Sequence, residues 1–358
     1  MTADFIKKIQ FVYDNLCDEK SREIFLNRLL WNITDEYEFI EKIAVKQGTL
    51  VQWVRPASIK SELLNEIKQH EGHFVVYGAG EIGKIVAKLL LRNAINVKCF
   101  WDRNAKRMKS QDVPIPIYEP FSNYDNENII IGSDRFSNEI IALLRQKGIP
   151  EEKIIFPKYM KEFLYDYSNQ YFDENIIVFE NDEVFVDAGC FDFGNSSLLL
   201  EKAGNKVKKI YAFEPDLENF NKIEATIKKM MLENVAVFNA GLWSEKNTLK
   251  FKANLDAGCL IDESGDTEIK VVALDGVDIP EKITFIKMDI EGAELEALKG
   301  AQNRIKKDKP KLAICVYHKP EDIIDIPLYI KKLVPDYKLF MRHYSETDFE
   351  TVLYAVKG

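Results

Sequence analysis

From Val184 to the end of the chain, short apolar runs alternate with helix-patterned stretches, and this alternation is the feature that most constrains the fold. The runs lie at 184–187, 210–213, 235–238, 283–288 and 311–317. Runs this apolar suit parallel strands covered by helices on both faces. They predict a doubly wound α/β sheet. The last two runs, 337–344 and 350–356, flank a short turn at Ser345-Glu346-Thr347-Asp348 and predict a closing antiparallel hairpin.

The residues just after each run bear on chemistry, because open α/β sheets bind ligands at the carboxyl ends of their strands. The first run ends in Asp187-Ala188-Gly189-Cys190 and reaches Gly194 and Ser196 just before a helix. Gly189 is expected to let backbone approach a ligand and Gly194 to permit a tight turn. Cys190 reads as a small packing residue of that loop. The second run ends in Glu214-Pro215-Asp216, with Glu214 placed 25 residues after Gly189. A carboxylate there can accept both hydroxyl protons of a ribose. The third ends in Asn239-Ala240-Gly241, small residues that leave room for an adenine ring.

The fourth run ends in Asp289-Ile290-Glu291-Gly292-Ala293-Glu294. Acids suit a helix start, which accounts for Glu291 and Glu294 but less well for Asp289. His318 closes the fifth run and is a base candidate because an ordinary imidazole titrates near working pH. Asp289 and Glu291 are also the oxygen ligands that Mg²⁺ would choose. Arg342-His343, in the hairpin, reads as an exposed pair near the turn.

A second alternating series covers 71–158. Gly78-x-Gly80-x-x-Gly83 follows an apolar run and opens a helix, and Asp102 lies 22 residues after Gly80 at the end of the next run. That is a dinucleotide fingerprint in its required context. Glu81 beside the phosphate position argues against it, and the segment is short for a complete NAD-binding fold. NAD, a nucleotide sugar or no ligand all remain open.

Residues 1–70 carry apolar positions at helical spacing: Phe5, Ile9, Val12 and Leu16, then Ile24, Phe25, Leu29 and Leu30, then Phe39, Ile40 and Ile43. Arg55-Pro56-Ala57-Ser58 interrupts the pattern, and Leu63, Leu64 and Ile67 restart it. No chemistry is expected there, only a helical lid or a homodimer surface. The expected organisation is a helical segment at 1–70, a small Rossmann-like domain at 71–158, a connection at 159–183 and a second Rossmann-like domain at 184–358.

A net charge of −9 makes nucleic acid a poor partner, since that affinity comes from Lys and Arg. Five widely spaced cysteines form neither a disulfide framework nor a zinc site and favour a cytoplasmic setting. No apolar stretch is long enough for a transmembrane segment.

Residues 184–356 resemble the FkbM family of S-adenosylmethionine (SAM)-dependent methyltransferases. The resemblance is carried by Phe185-Val186-Asp187-Ala188-Gly189, Phe213-Glu214-Pro215-Asp216, the stretch from Ile286 to Glu294 with Leu298-Lys299-Gly300-Ala301, and Tyr317-His318-Lys319-Pro320. It implies a class I methyltransferase sheet and methyl transfer from SAM to an oxygen, often a hydroxyl of a sugar, glycolipid or related small-molecule acceptor. In that setting Asp187, Gly189, Cys190, Gly194, Ser196, Glu214, Pro215, Asn239, Ala240 and Gly241 are the expected cofactor-binding residues. Asp289, His318 and Glu291 are the expected catalytic ones, with Asp289 as base or orienter. The 71–158 segment resembles small Rossmann-like domains of sugar-nucleotide-modifying proteins. An NAD-linked oxidoreductase and a non-enzymatic nucleotide-sugar-binding protein are the competing readings.

Overall fold

The computed structural model describes residues 3–36, 38–46, 69–70, 72–106, 114–133, 136–156, 169–253, 259–261, 267–345 and 348–358, with the single positions 64 and 67. The expected helix break at Arg55–Ser58 and Leu63 lie outside the described residues. The chain divides into two compact units, one formed by Met1–Gln47 with Tyr167–Gly358 and the other by Gly48–Asp166.

Three helices begin the larger unit: α1 (Ala3–Asn15), α2 (Glu19–Thr34) and α3 (Glu38–Lys46). Asp18 caps α2 by accepting the Ser21 N–H at 2.7 Å, which satisfies one of the orphan donors of the first turn.

In the smaller unit, β1 (Phe74–Tyr77), α4 (Glu81–Arg92), β2 (Val97–Trp101), β3 (Ile117–Tyr118), β4 (Asn128–Ile131), α5 (Ser137–Gln146) and β5 (Ile154–Ile155) follow one another. Their five strands form a parallel sheet in the order β3-β2-β1-β4-β5. β1 and β4 are buried at every position, as the apolar run of β1 and the three isoleucines of β4 require, with Asn128 the one polar residue among them.

The larger unit continues with β6 (Glu183–Ala188), α6 (Gly194–Ala203), β7 (Val207–Phe213), α7 (Leu217–Met230) and β8 (Val235–Phe238). A separate four-stranded sheet then intervenes, made of β9 (Gly241–Leu242), β10 (Asn247–Ala253), β11 (Cys259–Ile261) and β12 (Thr267–Val272) in the order β11-β10-β12-β9. The series resumes with β13 (Phe285–Met288), α8 (Glu294–Gly300), α9 (Gln302–Asp308), β14 (Lys311–Cys315), α10 (Asp322–Leu333), β15 (Lys338–His343) and β16 (Thr351–Val356). The seven-stranded sheet has the order β15-β16-β14-β13-β6-β7-β8, parallel except that β16 pairs antiparallel with both neighbours. This is the expected α/β sheet with its closing antiparallel hairpin.

Alternate residues of β6 feed two cores. Val184, Val186 and Ala188 face one side, and Phe185 joins Phe172 and Phe285 on the other. Val12, Leu16, Ile24 and Phe25 belong to the first core, so residues 1–47 complete a layer of this unit. Each such side chain contributes about 1.5–3 kcal/mol by leaving water. The connection expected at 159–183 likewise supplies Tyr171 and Phe172 to the second core.

Arg342 and His343 are not an exposed pair. Arg342 is buried and pairs with Asp18 at 2.7 Å and Asp173 at 3.4 Å, which ties the start of α2 to the hairpin. His343 is fully buried, with Nδ1 2.9 Å from the Thr351 hydroxyl. Among the described residues no helix is long and apolar enough to cross a membrane.

Candidate active site

The loop after β6 presses against the end of β13. Gly189 has φ +74°, and a Cβ there would meet the Asp289 carbonyl oxygen at 1.9 Å. Its glycine therefore serves a backbone-to-backbone approach and not only room for a ligand. The tight turn is taken by Phe191 (φ 56°) and Phe193 (φ 70°), while Gly194 donates its N–H to the Asp192 carboxylate at 2.8 Å. Left-handed conformation thus falls on two residues other than Gly194.

Three of the expected cofactor contacts lie beneath this loop. Asp187 and Ser196 are fully buried, and the Ser196 hydroxyl donates to Asp187 at 2.7 Å. Cys190 is also buried, and burial pushes its thiol well above the ordinary range, so it is no nucleophile. Asp187 pairs with Lys287 of β13 at 3.1 Å. Lys287 Nζ also donates to the carbonyls of Gly189 at 2.7 Å and Ala188 at 3.2 Å. Burial alone would lower the Lys287 pKa, but Asp187 and Asp289 outweigh it and hold the ammonium charged. Sequence reading assigned Lys287 no role. Its signal was a single cation inside an otherwise apolar run.

Glu214, at the end of β7, is buried and accepts the N–H of Phe191 at 2.9 Å and of Asp216 at 3.0 Å. Burial raises its pKa, and those two N–H groups oppose the rise. Asn239 donates to the carbonyls of Glu214 and Pro215, each at 3.0 Å, and so fastens the end of β8 to that of β7. Ala240 is buried beside it, and Gly241 packs near Val271 and Pro215.

At the ends of β13 and β14 the catalytic candidates converge. Asp289 keeps 25% of its side chain exposed and accepts the hydroxyls of Tyr171 at 2.8 Å and Tyr317 at 3.3 Å. Burial would raise its pKa, yet Lys287, His318 and the Tyr171 hydroxyl pull it below the ordinary value. Glu291 (φ 55°) and Gly292 (φ 87°) turn the chain sharply here. That turn brings Glu291 Oε2 to 3.5 Å from His318 Nε2, the same distance as Asp289 Oδ1. On the other side of the ring, Nδ1 lies 2.9 Å from Glu294 Oε1. Burial would lower the His318 pKa, but Glu294, Asp289 and Glu291 push it up to about 9. His318 is therefore not an imidazole poised near neutrality but a cation held by three carboxylates.

Glu294 is no solvated helix-start acid. It is fully buried, accepts the Ile290 N–H at 2.8 Å, and faces Asp322, whose carboxyl burial and Glu294 push up to about 7. Asp289, Glu294 and His318 each present one potential metal-ligand atom, all within 4.8 Å of one another. The set includes an imidazole whose nitrogens already face carboxylates. Mg²⁺ prefers oxygens alone, so this donor set does not suit it.

The smaller unit holds the glycine fingerprint. A Cβ on Gly83 would meet the Gly78 carbonyl at 1.8 Å, and one on Gly78 (φ +111°) would meet the Gly132 carbonyl at 2.9 Å. Both glycines are thus required by strand–helix packing, whereas Gly80 faces open space. Asp102 accepts the N–H groups of Ala79 at 3.0 Å and Asn104 at 2.8 Å, which braces the loop.

Residues 187–343 match the family described as methyltransferase FkbM domain, and residues 71–155 match the family described as C2185-like, N-terminal. Among solved structures, the chain is similar to the methyltransferase FkbM of Methylobacillus flagellatus. Identity is 19% over 84% of this chain and 100% of that one, with a TM-score of 0.49. It is similar to a SAM-dependent methyltransferase of Aquifex aeolicus at 18% identity, over 55% and 95% of the two chains, with a TM-score of 0.33. It is also similar to TrmK of M. capricolum, solved with S-adenosylhomocysteine (SAH), at 15% identity over 50% and 64%, with a TM-score of 0.32. A search of curated proteins finds no match.

Proposed function

Proceeding from a methyltransferase FkbM domain at residues 187–343, we propose that the chain is a SAM-dependent O-methyltransferase acting on a hydroxyl of a sugar, glycolipid or related small molecule. The observation that carries this reading is the placement of Glu214 and the Asp289–His318 pair around one loop. Phe191 of that loop bonds Glu214, and Gly189 touches Asp289.

The residues present fit a nucleoside cofactor. Each Glu214 oxygen already accepts one backbone N–H, which orients the carboxylate, and each retains capacity for a second donor such as a ribose hydroxyl. SAM, when bound, supplies a methyl group that is already electrophilic. The chain's task is then to align the acceptor oxygen and to receive one proton. In the neutral form of His318, Nε2, between Asp289 and Glu291, takes that proton. The two carboxylates stabilise the imidazolium that results. With a pKa of about 9, about one His318 in a hundred is neutral at pH 7, so the rate should climb with pH.

In the smaller unit, Gly80 is the point at which a pyrophosphate of NAD or a nucleotide sugar would approach the backbone. The deciding experiment is thermal shift of the full chain with SAH, NAD and nucleotide sugars, followed by transfer of labelled methyl from SAM to a panel of hydroxylated saccharides. Stabilisation by SAH and labelled ethers are expected. Stabilisation by NAD with none by SAH would instead favour the oxidoreductase.

A further inference from the structure

The sheet-facing stripe of α2 runs through Ser21, Phe25, Arg28 and Asn32, which are four, three and four residues apart. Ser21 Oγ accepts the Met341 N–H at 2.8 Å, and Asn32 Nδ2 donates to the Pro320 carbonyl at 3.0 Å. Between those anchors Arg28 is 2% exposed. Among the described residues its Nε and Nη1 are buried without a hydrogen-bond partner. The acid whose charge acts on it is Asp348, in the turn after β15, and it also senses Tyr317, at the end of β14, whose phenol burial keeps neutral. Tyr317 in turn reaches Asp289 with its hydroxyl.

A guanidinium sealed from water with unmet N–H groups is strongly unfavourable, whereas its planar fork suits an oxyanion. Burial lowers its pKa only to about 10, so it stays charged at neutral pH. The sheet order places it relative to the chemistry. Glu214 follows β7 and Asp289 follows β13, while Tyr317 follows β14 on the far side of β13. Arg28 is therefore on the side of Asp289 away from the proposed ribose contact.

We propose that Arg28 is an anion-binding residue of the acceptor site, so that the methylated molecule carries a carboxylate or phosphate gripped by this guanidinium. The inference rests on the methyltransferase reading and narrows its substrate class to anionic acceptors.

The test is calorimetric titration of the full chain, saturated with SAH, with inorganic phosphate and separately with acetate. Wild type should bind one of them saturably, which also tells phosphate from carboxylate. Arg28→Gln should weaken that binding about tenfold or more, with SAH affinity unchanged, and Asp348→Asn should retain it. Arg28→Lys keeps the charge but loses the fork, and it too should bind more weakly, which covers a Gln variant that does not fold. The proposal is overturned if neither anion saturates wild type, if Arg28→Gln binds as wild type does, or if SAH affinity falls with it, which would assign Arg28 to the cofactor's own carboxylate. Loss of anion binding in Asp348→Asn, with a stability loss matching that of Arg28→Gln, would mark a structural pair and overturn it as well. Should wild type bind phosphate through Arg28 but not SAH, the methyltransferase reading fails and the anion site stands.

Discussion

Replacing Glu294 with Gln isolates the group that acts most strongly in holding His318 charged. The amide oxygen can still accept the Ile290 N–H that Glu294 accepts at 2.8 Å, so the local fold has a reason to persist. An opposite charge in contact moves a pKa by about 1–3 units. His318, pushed up to about 9 with Glu294 present, should therefore titrate between roughly 6 and 8 without it. The same change reads out in stability. The folded pKa lies above the ordinary 6.5. The stabilisation is thus complete below about pH 6.5 and is lost as pH rises through about 9. In full it corresponds to about 3 kcal/mol. Asp322, whose folded pKa is also raised, sheds stability between its ordinary 3.8 and about 7, so the window above pH 7 belongs mainly to His318. The chain has only four histidines, and NMR of protein labelled at histidine can follow each. A wild-type His318 titrating near 6.5, or one unmoved by Glu294→Gln, would refute the reasoning.

Lys287→Met leaves Asp187 charged and buried, which should cost about 3–5 kcal/mol in urea unfolding. A loss below about 1 kcal/mol would show that the pair is not structural. Asp322→Asn removes a carboxyl whose ionisation opposes folding, so it should stabilise the chain by up to about 4 kcal/mol at pH 8 and by little at pH 4. Equal effects at both pH values would contradict the raised pKa. Methyl transfer by wild type should rise toward pH 9 and flatten beyond. His318→Gln should abolish that slope, and an unchanged slope would assign the proton to another group.

The seven-stranded sheet was legible because its parallel strands are apolar on both faces, a pattern few other elements share. The four-stranded sheet at 241–272 was not read. Its longest strand, Asn247–Ala253, alternates polar and apolar residues as a half-exposed strand does, a weaker pattern than an unbroken apolar run. Glu214, Asp289, Glu291 and His318 could be named because each lies just after a run. Tyr171 could not, since its contact with Asp289 spans 118 residues and arises only when the segment before β6 folds into the core. Asp187, Ser196 and Cys190 are buried beneath the loop, and strand position alone does not tell a side chain facing a ligand from one bracing the loop below. Arg28 is legible in the sequence as a cation inside the apolar stripe of Ile24, Phe25 and Leu29.

Titration of SAH into the full chain by calorimetry, alongside Glu214→Ala, probes the cofactor site most directly. Saturable binding at one site per chain, weakened at least about tenfold in the variant, is the predicted outcome. Absence of binding to wild type, or equal affinity in the two proteins, would contradict it.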